Sequence, residues 1–323
     1  MGVLAERERL EQPSGFKPIP RIELRPIDVK RLTNLHERSV TELKSADIGY
    51  IYAPLAQCFL PYRDQVEHEW VRRSGEYSII LQAGIVEDDD SPTGFRNVGL
   101  PFGAKPRLFQ TFISTRAVKI QSRIVPLERT MTEMMRELGL EPSGGAKGPI
   151  GSFKEQIMRF SRASYTIVGP GPKGGRRYVN STPVARFDVF FSADQKQKDI
   201  WPHELELTSE FFEAMQHHAV PISFPALRSI QQKPRAIDIY LWLTQRLCRI
   251  PSNKPLLLKW RILHEMFGGT SPYRRFKQHF REDMIPVRVA YPEARLEEKP
   301  DGFLFTHSPP PIPPKTRLFA VTK

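Results

Sequence analysis

At 323 residues, with 40% apolar and 26% charged residues, the chain has room for two cored domains. No apolar run approaches the roughly 20 residues that a membrane span needs, which excludes a helical membrane protein. A formal net charge of +12 points to a polyanionic partner.

The charge is unevenly placed. Residues 1–95 hold 12 Lys/Arg against 16 Asp/Glu, residues 102–182 hold 14 against 5, residues 183–222 hold 3 against 7, and residues 223–307 hold 15 against 8. Two basic blocks around an acidic connector are the footprint of two DNA-binding modules. Cys58 and Cys248 are the only cysteines, too few for a zinc cluster or a disulfide framework. The opening MGVLAERERLEQPSG lacks an apolar signal core, so the expected location is cytoplasmic, with no membrane partner.

Residues 1–26 carry four prolines and no sustained period, and read as a flexible tail. Residues 28–44 place Val29, Leu32, Leu35, Val40 and Leu43 near helical spacing. Residues 76–86 (EYSIILQAGIV) have strand composition. The acidic Glu87-Asp88-Asp89-Asp90 beside Ser91-Pro92 reads as a solvated turn rather than a Mg²⁺ site.

The first basic block opens a helix at Lys105-Pro106-Arg107, with Leu108, Phe109, Phe112, Ile113 and Ala117 as its buried face. A second helix runs over 130–138, with Thr130 as N-cap, Glu133 as its capping-box partner and Gly139 as the stop. The third starts near Pro149. On a helical wheel Ile150, Phe153, Ile157 and Phe160 share one side, with Ser152, Glu155, Arg159 and Arg162 opposite and Lys154 and Gln156 on the flanks. Such Ser, Gln, Lys and Arg side chains can read base edges or hold phosphates. A strand at 165–168, a basic tip carrying Lys173, Arg176 and Arg177, and a return strand reaching 187–191 follow. Gly169-Pro170-Gly171-Pro172-Lys173-Gly174 matches G-x-G-x-x-G, but a strand rather than a helix comes next, so no pyrophosphate site forms and no cofactor is expected.

After a helix over 206–219 the pattern recurs. Lys233-Pro234-Arg235 opens one helix, a second spans 256–267, and a third starts at Pro272, where Pro286 should kink or end it. Its outward residues are Arg274, Lys277, Gln278 and Arg281. A hairpin at 294–307 turns over Lys299-Pro300-Asp301-Gly302, and a proline-rich tail follows from Ser308. The order is duplicated: Lys-Pro-Arg at 105 and 233, Gly-Gly at 144 and 268, Phe-Lys at 153 and 276, then an apolar residue at 157 and 280.

These features define an α+β chain of two tandem winged helix-turn-helix domains, at 27–200 and 201–307, between flexible tails at 1–26 and 308–323. The candidate DNA contacts are Ser152, Lys154, Gln156, Arg159, Arg162, Lys173, Arg176, Arg177, Arg274, Lys277, Gln278 and Arg281. No catalytic residue or metal site is expected, since His217-His218, His203, His264 and His279 lack the spacing of a nicking enzyme's metal pair.

Over roughly residues 50–314 the chain resembles the plasmid-encoded RepA replication initiators. The resemblance rests on LPYR at 60–63, GLPFGAKPRLFQTFISTRAVKIQSR at 99–123, MMRELGLEPSGG at 134–145, FKEQIMRF at 153–160, KPRAIDIYLWLTQRL at 233–247 and YPEARLEE at 291–298. It implies binding to repeated sites (iterons) in double-stranded origin DNA, opening of the origin, and recruitment of a host initiator and replicative helicase. It also implies a homodimer, supported by the N-terminal winged helix, that represses its own gene. The alternatives are a transcription regulator with tandem winged helices and a rolling-circle nicking enzyme.

Overall fold

The computed structural model describes residues 45–57, 59–143, 148–188 and 201–313. The helix expected over 28–44, the tail at 1–26, Cys58 and Gly144-Gly145 lie outside them.

The same succession occurs twice: helix, short strand, helix, helix, hairpin. In the first unit these are α1 (Ala104–Ile120), β6 (Ile124–Pro126), α2 (Met131–Glu137), α3 (Pro149–Arg162) and the hairpin β7 (Ser164–Pro170)–β8 (Arg176–Ser181). In the second they are α6 (Pro234–Arg246), β12 (Leu256–Lys259), α7 (Trp260–Phe267), α8 (Tyr273–Ala290) and β13 (Leu296–Lys299)–β14 (Gly302–Phe305). The chain is thus α+β, with tandem winged helix-turn-helix units. The local signals act as their chemistry requires. Thr130 accepts from the Glu133 amide while Glu133 accepts from the Thr130 amide, completing the capping box. Gly139 follows in the left-handed region (φ 76).

The units differ in their sheets. The second closes on itself as β12-β14-β13. In the first, β7–β8 is extended by β2 (Glu69–Ser74) and β3 (Tyr77–Gln82) into the sheet β2-β3-β7-β8. The acidic turn joins β4 (Ile85–Glu87) to β5 (Phe95–Asn97), with Asp88 paired to Arg96 at 3.0 Å.

Several expectations are corrected. Residues 256–259 form a strand, not the first turn of a helix. Leu256 lies opposite Phe305 and Lys259 opposite Gly302, and the wing strand gives these residues backbone partners that an isolated helical turn would lack. Of the two outcomes expected at Pro286, a kink or an end, the second does not occur, since the helix runs on to Ala290. The proline is buried, and the next turn is held by buried Val287 and Ala290, so packing outweighs the lost N–H. The return strand β8 stops at Ser181, and the following strand β9 (Val184–Arg186) joins a different sheet, in which it lies beside β10 (Glu204–Leu207) and β10 beside β6; residues 189–191 lie outside the described residues. The helix expected over 206–219 starts later, as α4 (Ser209–His218), behind strand β10.

Helices α1 and α6 form the centre. The buried side of α1 is not confined to the five apolar residues of the wheel. Gln110, Thr111, Ser114 and Thr115 are buried too, because the helix is packed against α3, α4, α6 and β1 (Ile48–Tyr52). The Thr115 hydroxyl satisfies itself by donating to the Thr111 carbonyl (2.6 Å) and accepts from the Tyr50 amide (2.8 Å). The connector is woven into the first unit: β10 pairs with β6, and β11 (Ala219–Ser223) pairs with β1. A short helix α5 (Phe224–Ser229) leads into the second unit. The proline-rich segment is anchored at its start. Ser308 is fully buried and donates to the Thr306 carbonyl, and the Tyr291 hydroxyl donates to the Pro309 carbonyl at 2.7 Å. Among the described residues no helix is long and apolar enough to cross a membrane.

Candidate nucleic-acid interface

The third helix of each unit has the same inner face: Phe153, Ile157 and Phe160 in α3, Phe276 and Phe280 in α8, all buried. In the second unit Trp260 completes that core, meeting Phe280 at 6.1 Å and Phe303 at 5.4 Å edge-on. The outer faces are where the units part.

On α8, Arg274 and Gln278 are exposed, as is the neighbouring Arg275. Lys277 and Arg281 are partly sunk, each with its cation over the Trp260 ring, at 5.6 and 5.0 Å. Arg281 is tied further to Glu298 of β13 at 2.7 Å, and Gln278 donates to Glu282 at 2.9 Å. Trp260 thereby organises two of the four residues named from the sequence, a role that spacing alone did not reveal.

On α3 the outward reading fails at two positions. Gln156 is 2% exposed and its Oε1 accepts from the Phe102 amide at 2.7 Å. Arg159 is 9% exposed; its guanidinium donates to Asp64 (2.5 Å), Glu155 (2.5 Å) and the Leu100 carbonyl (3.0 Å), and stands over the Phe102 ring. These acidic partners hold the Arg159 proton more firmly than usual, although burial opposes them. The cause is the segment 99–103, which crosses this side of the helix. Gly99 takes a left-handed φ of +78 that favours glycine, and a Cβ there would stand 2.8 Å from Arg159 Nη1, so the segment passes close against the guanidinium. Gln156 and Arg159 are therefore structural and are withdrawn as base readers. Ser152 and Lys154 are half-buried, Arg162 is exposed, and Glu155 adds an exposed carboxylate among them.

Arg159→Ala should accordingly lower stability by about 1–3 kcal/mol, the cost of stripping charged hydrogen-bond partners. Site preference on DNA should stay unchanged. Denaturant titration beside competition binding checks both halves.

The first wing is the more basic one. Lys173, Arg176 and Arg177 are all exposed, and so is Tyr178 (67%), which the sequence reading overlooked. The tip is closed by Gly171 N–H to Gly175 (2.8 Å) and Gly175 N–H to Pro172 (3.0 Å). Lys173 itself has φ 54 and ψ 32, a left-handed conformation that costs a non-glycine residue roughly 1–2 kcal/mol. The second wing carries Glu297, Glu298 and Asp301 with Lys299, and offers no comparable cation cluster.

Between the units lies a buried polar junction. Arg107 of α1 (4% exposed) grips Asp238 of α6 (1%) through Nε at 2.7 Å and Nη2 at 2.8 Å. The same guanidinium donates to the carbonyls of Leu60 (2.6 Å) and Pro61 (3.2 Å). Burial pushes the Asp238 carboxyl above its ordinary range, and Arg107 works against that rise. The Tyr62 ring lies 5.2 Å from the guanidinium of Arg107 and 5.2 Å from that of Arg235. Arg235 donates to the Phe267 carbonyl (2.9 Å) and pairs with Asp283 (3.3 Å), while Arg72 donates to the Glu265 carbonyl (2.9 Å). Arg107 and Arg235 are the arginines of the two Lys-Pro-Arg copies.

His217 and His218 lie exposed at the end of α4, and among the described residues no group of three His, Cys, Asp or Glu is placed to hold a metal ion.

Two solved structures of domains 2 and 3 of RctB resemble the chain. One is 12% identical with a TM-score of 0.48, covering 78% of this chain and 96% of that one. The other is 13% identical with a TM-score of 0.46, covering 78% and 94%. No curated protein matches the sequence. The family model for the plasmid-encoded RepA protein matches residues 100–261, a span that holds Arg107, Arg235 and Asp238 of the junction and the first wing and stops before α8. Matched over half its length, the chain belongs to the family of plasmid-encoded RepA proteins, which are replication initiators.

Proposed function

We propose that this protein initiates plasmid replication by binding repeated origin DNA, with α8 reading sequence in the major groove and the first wing gripping the phosphate backbone. The observation that carries this reading is the exposed Arg274/Gln278 face of α8, flanked by Lys277 and Arg281 braced on Trp260. Arg offers a bidentate donor pair to guanine and Gln a donor–acceptor pair to adenine, which is how a helix distinguishes base pairs. Ser152, Lys154 and Arg162 of α3, with Lys173, Arg176 and Arg177 of the wing, supply a second contact that holds register without reading bases. Two linked contacts raise effective concentration, so modest single affinities combine into tight binding. Deformation of the bound duplex then helps unstack a neighbouring A·T-rich segment, where a host initiator and replicative helicase are recruited in the cytoplasm.

Arg274→Ala is expected to cost about 1–3 kcal/mol on the preferred site and to relax specificity at one base position. Binding to random DNA should hardly change. Selection of preferred sites from a random duplex pool, with the native protein and the variant, measures both; equal losses on preferred and random DNA would sink the base-reading role. The reading involves no covalent chemistry. A protein-linked nick in supercoiled origin DNA incubated with Mg²⁺ or Mn²⁺ would favour the nicking alternative instead.

A further inference from the structure

We infer that the Arg107–Asp238 pair and the Tyr62 ring set the distance between the two DNA contacts, so that the protein selects its target by spacing as well as by base sequence. The inference rests on the DNA-binding role proposed for α8 and the first wing.

The usual arrangement for two tethered DNA modules is a flexible linker, which lets each module find its own half-site over a range of separations. Here the two first helices are in direct contact. Their shared boundary contains a bidentate ion pair withdrawn from water, with one member from each unit. Such a pair is directional. Rotating or sliding α6 on α1 would break two short hydrogen bonds and leave a charge unpaired in a low-dielectric interior. Tyr62 acts as a peg. Its ring is held between the guanidinium groups of Arg107 and Arg235, and a Cβ at Gly269 would stand 2.8 Å from its Cδ2. The backbone on which the peg stands is itself clamped, because the Leu60 and Pro61 carbonyls accept from Arg107. The stacked Phe59 and Phe267 rings, 5.1 Å apart, extend the same contact between residues of the first half and α7.

α8 packs on α6 within the second unit, and α3 packs on α1 within the first. The path from one DNA contact to the other therefore runs through this boundary. One inserted base pair turns a B-form duplex by about a tenth of a turn and lengthens it by about 3.4 Å, so a rigid pair of contacts loses phase after a few insertions.

The experiment starts from the site selected by the native full-length chain, with its two contact regions located by hydroxyl-radical footprinting. Duplexes with one, two, five and ten base pairs inserted between those regions are then titrated. The expected result is at least a tenfold loss of affinity at five insertions, with incomplete recovery at ten because the span has grown by a full turn. Tyr62→Ala, and separately Arg107→Met combined with Asp238→Leu, are each confirmed folded by circular dichroism and then titrated on the same series. A folded variant should lose most of this discrimination, binding the five-insertion duplex within about threefold of the uninterrupted one.

Equal affinity of the native chain for all spacings overturns the proposal without recourse to any variant. A folded variant that keeps the native spacing profile overturns the assignment to these residues. Failure of the native chain to select any duplex would instead overturn the DNA-binding reading, and is seen before any insertion is made.

Discussion

Arg107→Ala should lower the stability of the folded chain by about 3–5 kcal/mol, the cost of leaving a buried carboxylate without its partner. Asp238 is 1% exposed in the native chain, and the variant removes the charge that opposes its protonation, along with the donors to Leu60 and Pro61. Urea titration followed by circular dichroism would read the loss as a lower midpoint. Its pH dependence identifies the cause. Without Arg107 the folded state holds the Asp238 proton more tightly than the unfolded chain does, so protonation favours the fold. The deficit should therefore be largest near neutrality and fade as pH falls toward about 4, the ordinary aspartate value. Arg107→Met with Asp238→Leu should recover most of the loss, since an apolar pair of similar volume needs no charge compensation. A deficit that is flat with pH would mean that lost packing, not the stranded carboxylate, is responsible.

Replacing Lys173, Arg176 and Arg177 together with alanine should reduce the steepness of the salt dependence of DNA binding by up to about 2.7 in log–log slope, at roughly 0.9 for each phosphate no longer neutralised. Affinity should drop on every sequence alike, because phosphates carry no base identity. The contrast with Arg274→Ala is the informative part: one variant changes how tightly DNA is held, the other which DNA is held. The fold should be undisturbed, since all three side chains are exposed, and removing the left-handed Lys173 side chain exposes no core. An unchanged salt slope in the triple variant would mean that the wing does not touch the phosphate backbone.

Much of the architecture was legible because its signals are local. The capping box at Thr130 and Glu133, the proline entries at 149 and 234, and the turn at Pro300-Asp301 each concern neighbours within a few residues, whereas the helix expected to open at Pro106 starts two residues earlier, at Ala104. The duplication of Lys-Pro-Arg and Phe-Lys carried the tandem plan without any knowledge of contacts. What stayed hidden was long-range. A helical wheel assigns Arg159 to water because it cannot know that residues 99–103 cross that side of the helix. LPYR at 60–63 stood out only as part of a resemblance; its place between two arginines far along the chain explains it physically. The same limit concealed Asp238, an aspartate inside an apolar helix whose partner lies 131 residues away.

Strand β1 carries a different kind of consequence. Its antiparallel partner is β11, so that Ile48 waits for Ser223. At a ribosomal pace of about 5–20 residues per second, a delay on the order of ten to thirty seconds separates the synthesis of the two strands. Throughout that interval Ile51 and Tyr52, buried in the finished molecule, have no strand beside them. The first winged helix cannot be completed as it leaves the ribosome, and its closure coincides with the arrival of α5 and the start of the second. The nascent chain therefore carries β1 as an unpaired strand from its own synthesis until that of β11, which makes this middle stretch of translation the period when chaperone cover matters most to this protein.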